Sequence, residues 1–130
     1  MAERRVQANG IELWTESFGK PGDPAILLVM GASAQGIGWP EELIDLLVAG
    51  GRFVIRYDHR DTGQSTCIDF QKNPYTLADL AADAVGVLDA YGLAAAHVVG
   101  ASLGGMIGQL MSILYPERVL TLTSMMSTPL

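Results

Sequence analysis

Apolar positions along this chain fall into two rhythms, and the rhythms alternate. Residues 4–8 and 11–18 read as two short strands, and Asn9-Gly10 between them is a strong hairpin-turn signal. Residues 25–30 (AILLVM) form a continuous apolar run, the pattern of a strand buried on both faces. Residues 31–39 are glycine-rich and irregular. Pro40 suits the first turn of a helix, with Glu41 and Glu42 favoured beside its N-terminal dipole and Gly50-Gly51 at its end. Residues 53–57 read as a second buried strand and 58–75 as a long polar loop. Thr76 caps the next helix, and Asp79 three residues on makes an acidic variant of the capping box.

In that helix Leu77, Leu80, Ala81, Ala84, Val85, Leu88 and Tyr91 keep the spacing of one buried face, and Gly92 ends it. Residues 97–100 read as a third buried strand. Leu103, Met106, Ile107, Leu110, Met111 and Leu114 return to helical spacing until Pro116, and residues 119–125 read as a last strand. A hairpin followed by β-α-β-α-β-α-β predicts an α/β fold: a mainly parallel sheet with helices on both faces and an antiparallel N-terminal hairpin. Ligands bind beyond the carboxyl ends of strands in such sheets. Ser102, the loop from Gly31 and the loop from Asp58 all fall at such ends.

Composition narrows the function classes. The 130 residues are about one domain, so residues 1–130 are read as a single unit; with 49% hydrophobic and 17% charged residues there is ample material for a core. A formal charge of −6 speaks against a nucleic-acid partner, which would need a basic stripe longer than Arg4-Arg5. The lone Cys67 excludes an internal disulfide. No apolar run approaches the roughly 18 residues of a membrane span, and the polar start of the chain does not read as a signal peptide. The expectation is a soluble, cytoplasmic protein with no nucleic-acid or membrane partner, no metal site and no cofactor.

The chemistry concentrates at Gly100-Ala101-Ser102-Leu103-Gly104, a G-x-S-x-G signature between a predicted strand and a predicted helix. A nucleophile at the tip of that turn takes strained backbone angles, and its neighbours must be small to clear the adjacent strand and helix. Gly100, Ala101, Gly104 and Gly105 meet that demand. Without that chemistry the same residues make a plain glycine-rich turn with an exposed serine. A dinucleotide-binding reading is weaker, because Ser102 occupies the second glycine position of G-x-G-x-x-G.

The motifs LLVMGAS (27–33), RYDHRDTGQS (56–65), the helix after Thr76, and HVVGASLGG (97–105) together resemble the N-terminal half of the α/β-hydrolase superfamily, in the same order and over essentially the whole chain. Within it the chain is most similar to the anthracycline (aclacinomycin-type) methylesterases, through the Met-Gly entry to the 31–39 loop, the Gly38-Trp39-Pro40 step and DHRDTG. The resemblance implies a serine hydrolase that cleaves small-molecule carboxylic esters, with Ser102 as the acylated nucleophile. It implies an oxyanion hole built from the backbone N–H groups of Leu103 and Ala32. Many relatives carry His-Gly where this chain has Met30-Gly31, which removes a side chain that often braces the loop. Gly31, Trp39, Asp58 and His59 are implied as loop and pocket support, with Asp58 and Ser65 tying the loop and Gly63 permitting its turn.

The acid and base expected later in the chain are not found. After Ser102 the acidic residue is Glu117, in a Pro-Glu-Arg turn, and no histidine follows. His97 sits at the far end of its strand from Ser102. His59 lies at the correct end but inside a turn motif. Trp39 and the methionines 30, 106, 125 and 126 are candidates for an acyl-pocket lining or for plain core, with core favoured for Met106. The expectation is a hydrolase completed by an Asp or Glu and a His from a C-terminal part, lid included, that these residues do not contain, so that the chain alone is inactive. The 119–126 stretch (VLTLTSMM), beginning at Val119 and closing on Met126, would be an apolar edge in a lone monomer, which predicts a second polypeptide or a second copy covering it. Two alternatives stay open: a non-catalytic binding module on this scaffold, and a haloperoxidase or perhydrolase-type member of the fold.

Overall fold

The structure is a computed structural model and describes residues 2–32, 34–68, 71–72 and 74–130. Ser33, which closes the LLVMGAS motif, and positions 69, 70 and 73 of the long polar loop lie outside the described residues. Strands β1 (Ala2–Ala8) and β2 (Ile11–Phe18) form the predicted hairpin. Its turn has positive φ at both central residues, 52° at Asn9 and 80° at Gly10, the mirror-image turn whose twist matches its strands.

Beyond the hairpin come β3 (Ala25–Val29), helix α1 (Glu41–Ala49), β4 (Phe53–Tyr57), α2 (Leu77–Ala90), β5 (Ala96–Ala101), α3 (Leu103–Leu114) and β6 (Val119–Met125). The sheet order is β1-β2-β4-β3-β5-β6. β2 meets β4 antiparallel, and the pairs β3–β4, β3–β5 and β5–β6 are parallel. Every residue of β3 and β4 is buried: β3 is the continuous apolar run, and β4 (FVIRY) buries Arg56 among its apolar residues. Alternate residues serve two cores: Leu27, Val29, Ile55 and Tyr57 face α2 and α3, while Ile26, Leu28 and Val54 face Ile44 of α1 and Trp39. Helices therefore cover both faces.

Charges inside this sheet are paired. Arg56, the fourth of the five residues of β4, stands in register with Glu16 of β2 and donates from Nε (2.8 Å) and Nη2 (2.5 Å) to one Glu16 carboxylate oxygen. α2 begins in the predicted capping box, with the Thr76 hydroxyl accepting from the Asp79 amide and the Asp79 carboxylate accepting from the Thr76 amide. The residues around Pro116, read as a helix-ending turn, form a 3-10 turn at Pro116–Arg118, and a second one lies within the irregular loop at Gly36–Gly38. Met106 is half-buried and packs in neither core cluster, which departs from its reading as core.

Two features matter for the site. The parallel register sets the carboxyl ends of β3, β4 and β5 side by side, so the segments after Val29, Tyr57 and Ala101 meet. β6 is an edge strand, with Leu120 57% and the following Met126 84% exposed.

Candidate active site

Ser102 links β5 to α3 with φ 54° and ψ −117°, a conformation that costs a non-glycine residue on the order of 1–3 kcal/mol. The neighbouring glycines explain how the turn closes. A Cβ on Gly100 would fall on the Gly104 carbonyl, and one on Gly104 would fall on the Val29 carbonyl, so helix and strands approach at backbone distance. The bend is held by the end of β6, by the residues just after it and by the first turn of α3. The Ser102 amide donates to Met125 O (2.8 Å), and its carbonyl accepts from the Ser127 hydroxyl (2.8 Å) and the Gly105 amide (2.9 Å). The Ser102 residue is exposed. It occupies the N-cap position of α3, so the first amides of the helix stand beside it.

Ala32 and Leu103 line one cavity of about 210 Å³, together with His59, Arg60, Tyr75 and Leu80. Ser102 is outside that lining and stands next to it: a Cβ on Gly31 would lie 3.5 Å from Ser102 Cβ. Among the described residues neither the Ala32 nor the Leu103 amide has an acceptor. Two residues with unpaired N–H groups, lining one cavity beside the exposed Ser102, are the kind of donors that suit the charge developing on a carbonyl oxygen under attack.

The other predicted site residues fall in distinct places. Asp58 is buried, and its two carboxylate oxygens accept from the amides of Gly36 (2.7 Å) and Gln64 (2.9 Å), while its carbonyl accepts from the Ser65 hydroxyl (2.7 Å). His59 is 5% exposed, and its Nε2 lies 2.7 Å from the Met30 carbonyl. Burial pushes its imidazole below the usual histidine range, against the opposing pull of the Met30 carbonyl and of Asp83 and Asp58. Trp39 is buried in the smaller core, away from the cavity lining. His97 is half-buried at the start of β5, with Nδ1 2.8 Å from the Thr121 hydroxyl. At roughly 3.3 Å per strand residue it is out of reach of Ser102.

Sequence reasoning missed part of the cavity wall. Arg60 donates from Nε and Nη2 to the two oxygens of Asp83, both at 2.7 Å, and its guanidinium lies 4.8 Å from the centre of the Tyr75 ring. The Tyr75 hydroxyl donates to Asp61 (2.6 Å), and that bond holds its pKa up at about 12. The available signal was Asp83 itself, a carboxylate among the buried residues Leu80, Ala81, Ala84 and Val85 of α2, where a charge needs a partner. Among the described residues no cluster of three or more His, Cys, Asp or Glu side chains could hold a metal ion. No helix of the described residues is long and apolar enough to cross a membrane.

Comparison with known proteins bears on the fold that carries these residues. Rhodomycin D methylesterase DnrP of Streptomyces peucetius is 50% identical over 126 residues, covering 97% of this chain and 42% of that protein. The putative carbamate hydrolase RutD of Variovorax paradoxus is 39% identical over 108 residues, covering 82% of this chain and 39% of that one. Among solved structures, epoxide hydrolase A from Mycobacterium thermoresistibile superposes with a TM-score of 0.88 at 31% identity, over 95% of this chain and 38% of that chain. The chain thus spans about two-fifths of the length of the curated relatives it matches. The family model for the alpha/beta hydrolase fold matches residues 24–130, and the chain belongs to that family.

Proposed function

We propose that this chain carries the nucleophile and oxyanion hole of a serine hydrolase acting on carboxylic esters. The observation that carries the proposal is Ser102 with its positive φ between β5 and α3, beside a cavity lined by Ala32 and Leu103, whose amides have no acceptor among the described residues. The Ser102 hydroxyl attacks the ester carbonyl and its proton passes to an imidazole. The tetrahedral oxyanion is held by the two amides. The alcohol leaves with the proton, and water then releases the acid from the acyl-enzyme. The imidazole and its carboxylate partner come from outside these 130 residues: His59 is committed to a carbonyl, and His97 is at the wrong end of β5. In the same reading the polypeptide that brings them covers the exposed edge of β6.

The likeness to the rhodomycin D methylesterases makes a methyl ester the first substrate class to test. The direct test is labelling of the complete protein with a fluorophosphonate. Wild-type protein should be labelled at Ser102, and Ser102→Ala should not. Equal labelling of both, or hydrolysis of p-nitrophenyl acetate that survives Ser102→Ala, overturns the reading. Ester binding without turnover by complete protein selects the binding-module alternative.

A further inference from the structure

The oxyanion loop has a brace that does not come from its own sequence. Met30-Gly31 stands where a histidine would offer a side chain to the loop, and Met30 offers no strong hydrogen bond. The structure fills that gap from the neighbouring strand. β4 lies parallel to β3, so the residues just after Tyr57 stand beside those just after Val29. His59 reaches across and meets the Met30 carbonyl at 2.7 Å. Asp58 reaches the same loop six residues later, accepting from the Gly36 amide at 2.7 Å. Two consecutive residues therefore grip the loop at both ends.

We propose that His59 is a positioning residue for the oxyanion hole: with Asp58 it holds the loop at Met30 and at Gly36, and through the Met30 carbonyl it aims the Ala32 amide. The inference rests on the esterase reading of Ser102. A carbonyl oxygen only accepts, so His59 carries its proton on Nε2 and leaves Nδ1 bare. Holding the Met30 carbonyl fixes the peptide plane between Met30 and Gly31. Only the two torsions of Gly31 then separate that plane from the one bearing the Ala32 N–H. That second plane is held in turn by the Gly31 carbonyl, which accepts from the Ala34 amide at 3.3 Å. Glycine is the loosest residue for this place, so an anchor on its N-terminal side is what keeps the amide on target. The ring is itself fixed, edge-on to Tyr57 with centroids 5.4 Å apart.

An oxyanion donor acts on the transition state, so misaiming it lowers kcat with little change in KM. The test uses the complete protein and p-nitrophenyl acetate. Removing a donor outright costs about 10²–10³ in rate, so loosening one in His59→Leu should lower kcat about 10- to 100-fold. KM should stay within about threefold. His59→Gln places an amide N–H near the lost Nε2–H and should recover most of that kcat. Unchanged kcat in folded His59→Leu overturns the proposal, as does a His59→Gln variant no better than leucine. Loss of activity in Ser102→Ala with full activity in His59→Leu refutes the clamp and leaves the esterase intact. Survival of activity in Ser102→Ala refutes the esterase itself. Should His59→Leu fail to fold, nitrogen chemical shifts of the wild-type imidazole decide: a proton on Nε2 at neutral pH is expected, and a proton on Nδ1 overturns the clamp.

Discussion

Replacing Asp83 with leucine strands a guanidinium in the wall of the cavity. Asp83 is 2% exposed and receives three hydrogen bonds, two from Arg60 at 2.7 Å and one from Asn9 Nδ2 at 3.0 Å. Removing one member of such a pair costs about 3–5 kcal/mol, because a buried charge is left without its partner. Arg60 is 8% exposed and keeps its place over the Tyr75 ring, which partly offsets the loss. The expected cost is therefore at the lower end, about 3 kcal/mol out of a typical total of about 5–15 kcal/mol. That corresponds to a fall in Tm of roughly 6–12 °C. Urea denaturation followed by far-ultraviolet circular dichroism reads it, with an unchanged m-value. The double variant Arg60→Met/Asp83→Leu removes both charges and should recover at least half of the loss. A single-variant loss under about 1 kcal/mol, or a double variant as unstable as the sum of the singles, would refute the reasoning.

Gly104→Ala should be destabilising, by about 1–3 kcal/mol, although alanine is the better helix former, because its Cβ would meet the Val29 carbonyl. The same shift should slow fluorophosphonate labelling of Ser102, and a stabilised variant with normal labelling contradicts the close packing of α3 on β3. Stability should also respond to pH through His59. Its folded-state pKa lies below the ordinary value of 6.5, so the unfolded chain binds the extra proton and stability falls as pH drops from 6.5 towards the folded-state value. His59→Gln should flatten that slope in pH-dependent denaturation, and an unchanged slope would assign it to other groups.

Local chemistry made the tight turn at Ser102, the hairpin and the capping box legible. Each is written in neighbouring residues: Gly100 to Gly104 around Ser102, Asn9-Gly10 between two short strands, Thr76 with Asp79. The continuous apolar run of β3 likewise announced a strand buried on both faces. What could not be read joins residues far apart in sequence. Arg56 sits inside a buried strand because Glu16 faces it across the sheet, and only the register between β2 and β4 supplies that partner. The grip of Asp58 and His59 on the 30–36 loop depends on the parallel pairing of β3 with β4. Trp39, open between pocket lining and core from its place in the loop, packs in the smaller core with Ile44 and Ile26. A loop's path decides such a choice, and hydrophobic patterning does not encode it.

The central claim is that the hydroxyl of Ser102 becomes covalently acylated during ester turnover. Rapid quenching of the complete protein with p-nitrophenyl acetate, followed by peptide mapping by mass spectrometry, tests it directly. An acetyl group is expected on Ser102, forming at the rate of nitrophenol release and decaying on further incubation. Turnover with no acyl group on any peptide, or with the acyl group on another residue, would contradict it.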